Sequence, residues 1–127
     1  MKSKILRLRL FSLALPFIAC LLTAFSGCSH APQHLLGAKY SVEVASPIVE
    51  LKKSPANVYI QLKGEMVEKC PVAGCWFVLR DKTGTVRVDT KSAGFVVTDI
   101  PLHTILNVNG KLTEDAEPRI AATGLRY

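Results

Sequence analysis

No aspartate or glutamate precedes Glu43, tryptophan occurs once, and cysteine only four times in 127 residues. The missing acids leave Lys2, Lys4, Arg7 and Arg9 uncompensated ahead of an apolar run from Leu10 to about Phe25. That is the charge and hydropathy order of a bacterial secretory signal. No glycine-rich loop stands ahead of a helix, which excludes the usual phosphate cradle. No second cysteine pair accompanies Cys70 and Cys75, which counts against a four-ligand zinc site. No serine or cysteine is spaced to make His103 a catalytic base. Glu65, Asp81, Asp89 and Asp99 fall in turns or at exposed strand positions, where solvated charge is expected rather than paired acid–base work. The expectation is a non-enzyme without a cofactor.

The apolar run ends in "FSGC". Small residues directly before a cysteine resemble the lipobox of bacterial lipoproteins, although Phe25 stands where Leu is usual and "FIAC" at Cys20 competes. The resemblance implies that residues 1–27 are a signal peptide and that Cys28 is the lipidated first residue of the mature chain. The alternative, an uncleaved anchor from Leu8 to Phe25, is opposed by Pro16 and by the small residues before Cys28. Ser29 after Cys28 resembles the sorting pattern for the outer membrane. The expected location is therefore the periplasm, with the protein lipid-anchored to a membrane, the outer one by this pattern. Cleavage also changes the charge. Sixteen Lys and Arg, less the four ahead of Cys28, leave twelve against ten acids, a formal +2 in place of +6. So small an excess removes the main compositional support for nucleic acid as a partner.

Residues 28–55 carry three prolines, small polar residues and no sustained period. They read as a flexible tether, with one short strand near "YSVEV". From Asn57 the pattern alternates with period two. "NVYIQLKG" sets Val58, Ile60 and Leu62 on one face. "CWFVLRD" sets Phe77 and Leu79 opposite Trp76, Val78 and Arg80. "TVRVDT" and "TILNVNGKL" alternate around Val86, Val88, Leu106 and Val108, and "RIAATGLRY" supplies a last run. Turn residues bound each segment. Five short strands without a helical period imply a small all-β domain over 56–127, and closure into a barrel hides its edges.

The glycines sharpen this reading. Gly64 inside the first run, the D-x-x-G turn Asp81–Gly84 and the V-x-G step Val108–Gly110 resemble the OB-fold, which implies a five-stranded OB-like barrel. More narrowly, "CPVAGCWFVLRD" followed by "AGFVVTDIP" resembles an uncharacterised family of small secreted or lipid-anchored bacterial OB-like domains. Their signature is a cysteine, a short loop ending in Gly-Cys-Trp, and a later Gly-Phe. That resemblance implies no activity.

Cys70 and Cys75 flank the loop Pro71–Gly74 between two expected strands. Residues directly opposite in a hairpin lie about 4.5–5.5 Å apart, which a disulfide accepts, and the envelope is oxidising. A Cys70–Cys75 crosslink, stabilising by roughly 2 kcal/mol, is expected. Two alternatives use the same residues as thiolates. One is a copper or zinc site; His30 and His34 in the tether and His103 in a turn are then remote completing ligands. The other is a redox-active pair, though the spacing is not C-x-x-C. If Phe77 and Leu79 face the core, Trp76, Val78 and Arg80 point outward, and an indole beside a guanidinium can stack on a ring or a sugar. The expected function is a non-catalytic envelope binding module that meets a protein partner or small ligand through Trp76, Val78 and Arg80.

Overall fold

The computed structural model describes residues 33–127 other than Val42. The expected signal peptide and Cys28 lie outside the described residues. Among the described residues six strands form one sheet: β1 (Leu35–Gly37), β2 (Tyr59–Lys69), β3 (Trp76–Arg80), β4 (Thr85–Asp89), β5 (Ile105–Leu112) and β6 (Arg119–Arg126). Strands β2 to β6 are the five that alternation picks out. Their order runs β2-β3-β4-β6-β5 and returns to β2, because β2 pairs with both β3 and β5 and β5 pairs with β6. The sheet thus closes into a five-stranded barrel, with β1 added along the far end of β6. All pairings are antiparallel except β4 with β6, which is parallel.

Closure follows from β2 being long enough to serve two neighbours. Residues 59–65 pair with β5, and 65–69 pair with β3, with a bulge between Met66 and Glu68. A bulge raises the local twist, and the strand turns from one partner to the other there. Phe77, Leu79, Val88, Leu106 and Ile120 are fully buried, as period two requires of the inward face.

Of the expected tether, residues 28–32 lie outside the described residues, and the described remainder is packed on the barrel rather than free, which corrects the sequence expectation there. Residues 33–55 other than Val42 belong to the compact unit. The short strand falls at Leu35–Gly37, not near "YSVEV". The Tyr40 hydroxyl donates to the Asn107 carbonyl at 2.7 Å, and Arg126 lies over the Tyr40 ring at 4.9 Å. Gln61 holds the strap through the Ser41 carbonyl and the Glu43 N–H, at 2.6 and 2.8 Å. A 3-10 helix at Ile48–Lys53 then buries Ile48 and Leu51 with the core. Sequence period could not reveal this, because the strap gains its order from contacts with residues far along the chain.

Asp81 fixes that helix. No side chain at its own N-terminus caps it. Asp81 Oδ2 accepts the Ile48 N–H at 2.8 Å, while Oδ1 accepts the N–H groups of Thr83 and Gly84 at 2.7 and 3.0 Å. Thr83 Oγ1 accepts the Val49 N–H at 3.0 Å. Asp81 therefore has a structural task where the sequence suggested only solvated charge. Burial alone would raise its pKa, but the Thr83 hydroxyl and the three N–H donors favour the carboxylate and hold it below the usual aspartate range. The resulting stability is complete above the unfolded value of about 3.9 and is lost as pH falls through the lowered folded value. Asp81→Ala is expected to cost about 1–2 kcal/mol at pH 7, a Tm decrease of roughly 4–16 °C. Thermal melts at neutral and acid pH check this: the gap between wild type and variant should close in acid.

Candidate binding face and cysteine turn

On β3, Trp76, Val78 and Arg80 share the outward face, and Phe77 and Leu79 fill the core. The structure thus brings the three sequence-predicted residues onto one strand face, but not into one contact. Residues four apart on a strand are separated by about 13 Å, so Arg80 is too distant to stack on Trp76. The guanidinium that does so is Arg87, 4.7 Å from the ring centroid. Val78 pairs with Arg87 and Trp76 with Asp89, so Arg87 is the diagonal neighbour of Trp76. Sequence reasoning missed Arg87. The signal was available in the Asp81–Gly84 turn, whose Arg80–Thr85 closing pair sets that register.

Carboxylates orient the arginines of this face. Arg80 binds Glu65 at 3.1 Å, Arg87 binds Asp89 at 3.3 Å, and Arg119, paired with Arg87 across β4 and β6, binds Asp115 at 3.1 Å. These exposed pairs add little stability, about 0–1 kcal/mol each. Their effect is to hold three flat cations in fixed orientations around Trp76 and Val78. Glu65 also meets His103 Nδ1. The hydrogen bond from His103, then that from Arg80, lowers the Glu65 pKa below the usual range. His103 sits in the left-handed region at φ 70°, and its N–H donates to the Met66 carbonyl at 2.8 Å.

The cysteine turn departs from the expected geometry. Lys69 pairs with Phe77, and the Cys70 N–H donates to the Trp76 carbonyl at 3.0 Å. Cys70 is therefore opposite Trp76, and Cys75 lies one residue into the turn. Both cysteines are free thiols, and no disulfide joins them in this structure. The expectation that the two directly face each other fails on register.

The turn is anchored to the segment that follows β4. The Cys75 carbonyl accepts the Thr90 N–H at 2.9 Å, and the Gly74 carbonyl accepts the Val97 N–H at 3.0 Å. Gly74 stands at φ 59°, and a Cβ there would press on the Thr98 backbone, so the turn requires glycine. Lys69 Nζ donates to the carbonyls of Thr98 and Ile100 at 2.7 and 2.6 Å. Thr90 is fully buried beside the turn, and its hydroxyl has no hydrogen-bond partner among the described residues.

Within this frame the backbone folds around one sulfur. Cys70 Sγ accepts the Ala73 N–H at 3.4 Å. The N–H groups of Ala73, Val72, Gly74 and Cys75 favour the thiolate over the opposing effect of burial and bring the pKa down to about 7. Successive N–H groups aimed at one point form an anion nest. For the metal alternative, no cluster of three or more His, Cys, Asp or Glu side chains is placed to hold an ion among the described residues. His34 stacks on Tyr127 at 5.1 Å, and His103 is engaged with Glu65.

The strand order, the parallel β4–β6 pair and the closed five-stranded sheet define an OB-like barrel. Among solved structures the chain is similar to the hypothetical protein YgiW from E. coli, with a TM-score of 0.54 and 17% identity. The match covers 66% of this chain and 89% of that one. At that identity the likeness is one of fold. No protein-family model matches the sequence, and no curated protein matches it.

Proposed function

We propose that this chain is a non-catalytic, lipid-anchored binding module of the cell envelope, and that the outer face of β3 and β4 meets its partner. The observation that carries the reading is the Arg87 guanidinium over the half-buried Trp76 indole, with Val78 beside it and Arg80 and Arg119 held by carboxylates around it. Aromatic and arginine side chains are the groups most often found at binding hot spots. Ion pairs that already orient the arginines reduce the ordering cost of association. The basic run before the apolar segment and the "FSGC" step support secretion, lipidation at Cys28 and a periplasmic position, on the outer membrane by the Ser29 pattern. The Cys-loop-Gly-Cys-Trp segment resembles that of other secreted OB-like domains, which favours a shared envelope setting. The formal +2 of the cleaved chain favours a protein or small ligand over nucleic acid.

Trp76→Ala and Arg87→Ala test the face. Partner capture from solubilised envelopes is expected to weaken about 30-fold or more for Trp76→Ala, the scale of a hot-spot truncation. Lys82→Ala, in the exposed turn beyond β3, should leave it unchanged. Equal capture by wild type and Trp76→Ala would remove the face from the proposal. Incorporation of a labelled fatty acid, abolished by Cys28→Ala, tests the anchor separately.

A further inference from the structure

We infer that Cys70 is the nucleophile of a thiol–disulfide exchange site, with Cys75 as its resolving thiol and a disulfide-bearing molecule as the reactant. The geometry is that of the nest. The Ala73 N–H lies 3.4 Å from Cys70 Sγ, and the other N–H groups of the same turn, that of Cys75 included, favour its thiolate. Cys75 directly precedes Trp76, whose carbonyl accepts the Cys70 N–H at 3.0 Å, so the second thiol stands next to the residue opposite the first. Access is open: Pro71, Val72 and Ala73 are exposed, and Val72 is 88% exposed. The turn that shapes the nest is held by Thr90, Val97 and the Lys69 ammonium, so the arrangement belongs to the fold. The Trp76 face is not needed for this chemistry.

The exchange balances in two steps. The Cys70 thiolate attacks one sulfur of a disulfide R–S–S–R; that bond breaks, a Cys70–S–S–R bond forms, and one RS⁻ leaves. Cys75 gives its proton to solvent, and its thiolate attacks Cys70 Sγ and expels the second RS⁻. The two cysteines lose two electrons, and the reactant is reduced to two thiols. A pKa of about 7 makes Cys70 about half thiolate at neutral pH, against roughly 3% for an ordinary cysteine near 8.5. Lower basicity reduces the intrinsic nucleophilicity about fivefold. The net advantage at pH 7 is about threefold.

The test is reaction of the reduced full chain with oxidised glutathione at pH 7, followed by tryptic mapping. Cleavage after Lys69 and Arg80 isolates Cys70 and Cys75 in one peptide, away from Cys20 and Cys28. Wild type should yield that peptide lighter by two hydrogens. Cys75→Ser should retain glutathione on Cys70, and Cys70→Ser should react at Cys75 at least about threefold more slowly. The rate difference should vanish in urea, where the nest is gone. Equal rates in the folded protein, or a stable glutathione adduct on wild type with no internal crosslink, would overturn the assignment. In cells, Cys75→Ser reports the source of the disulfide. A high-mass band on a non-reducing gel identifies a protein, a small adduct on the peptide identifies a low-molecular-weight disulfide, and absence of both overturns the site.

Discussion

A chain cut to begin at Ala56 should melt well below one beginning at Pro32, or fail to fold. The cut falls where the alternating pattern starts, so sequence period alone suggests that it is harmless. The structure indicates otherwise. It removes Ile48 and Leu51, 5% and 3% exposed, and burial of two such side chains contributes roughly 3–6 kcal/mol. It also leaves Asp81 without the Ile48 N–H, and β6 without β1 along Gly124–Arg126. The strap is packed on the barrel in the folded chain, so its contacts together outweigh the conformational entropy lost in ordering it. A domain this small has only a few kcal/mol in hand, and each kcal/mol of net loss lowers Tm by roughly 4–8 °C. Trp76 fluorescence melts of the two chains decide it. Equal midpoints would mean that the strap is a passenger and the helix at Ile48–Lys53 adds nothing.

What the sequence made legible was what depends on near neighbours. Alternation placed Phe77, Leu79, Val86, Val88, Leu106 and Val108 in the core, and all six are buried there. Turn residues located the hairpins. Features set by distant partners were invisible. The hairpin closed by Pro71–Gly74 was expected, but nothing local shows that β2 leaves β5 at Glu65 to join β3, and the bulge at Val67 interrupts the alternation there. The strap carries no period because its order comes from Gln61, Asn107 and Arg126. At the candidate site, side-chain direction was readable and lateral neighbours were not. Trp76, Val78 and Arg80 do face outward together, but Arg87 and Asp89 came from cross-strand register. The same limit applies to the cysteines. Spacing suggested a facing pair, whereas the ladder puts Cys70 opposite Trp76 and turns the loop backbone toward its sulfur.

That register also connects the two candidate sites. Trp76 is adjacent to Cys75 in sequence, and its carbonyl holds the Cys70 N–H. The last hydrogen bond of the β2–β3 hairpin therefore lies between the indole face and the thiol nest. Crosslinking Cys70 to Cys75 pulls on the same turn that sets the start of β3. Loss of partner capture on oxidation, restored by reductant and absent in Cys70→Ser, would show that the thiol state governs the face. Unchanged capture would show that the sites act independently.

Gly64→Ala should be among the most damaging single substitutions in the barrel, costing about 3 kcal/mol or more, while Gly84→Ala stays within about 0.5 kcal/mol of wild type. Both glycines belong to the OB-like pattern in the sequence, so resemblance alone ranks them equally. The structure separates them. A Cβ on Gly64 would fall inside the Arg80 carbonyl oxygen and crowd the Leu79 side chain. Here β2 passes from β5 to β3, and Gly64 pairs with Leu106 on one side just before Glu65 meets Arg80 on the other. The obstruction is backbone held in two ladders, so it cannot yield as a flexible side chain would. On Gly84 the added carbon meets only Ile48 Cγ2 at 3.7 Å, an ordinary contact, and the N–H to Asp81 remains available. The expected Tm decrease for Gly64→Ala is roughly 12 °C or more. Equal melting of the two variants would mean that the barrel does not close through a shared β2, since that sharing is what leaves no room at Gly64.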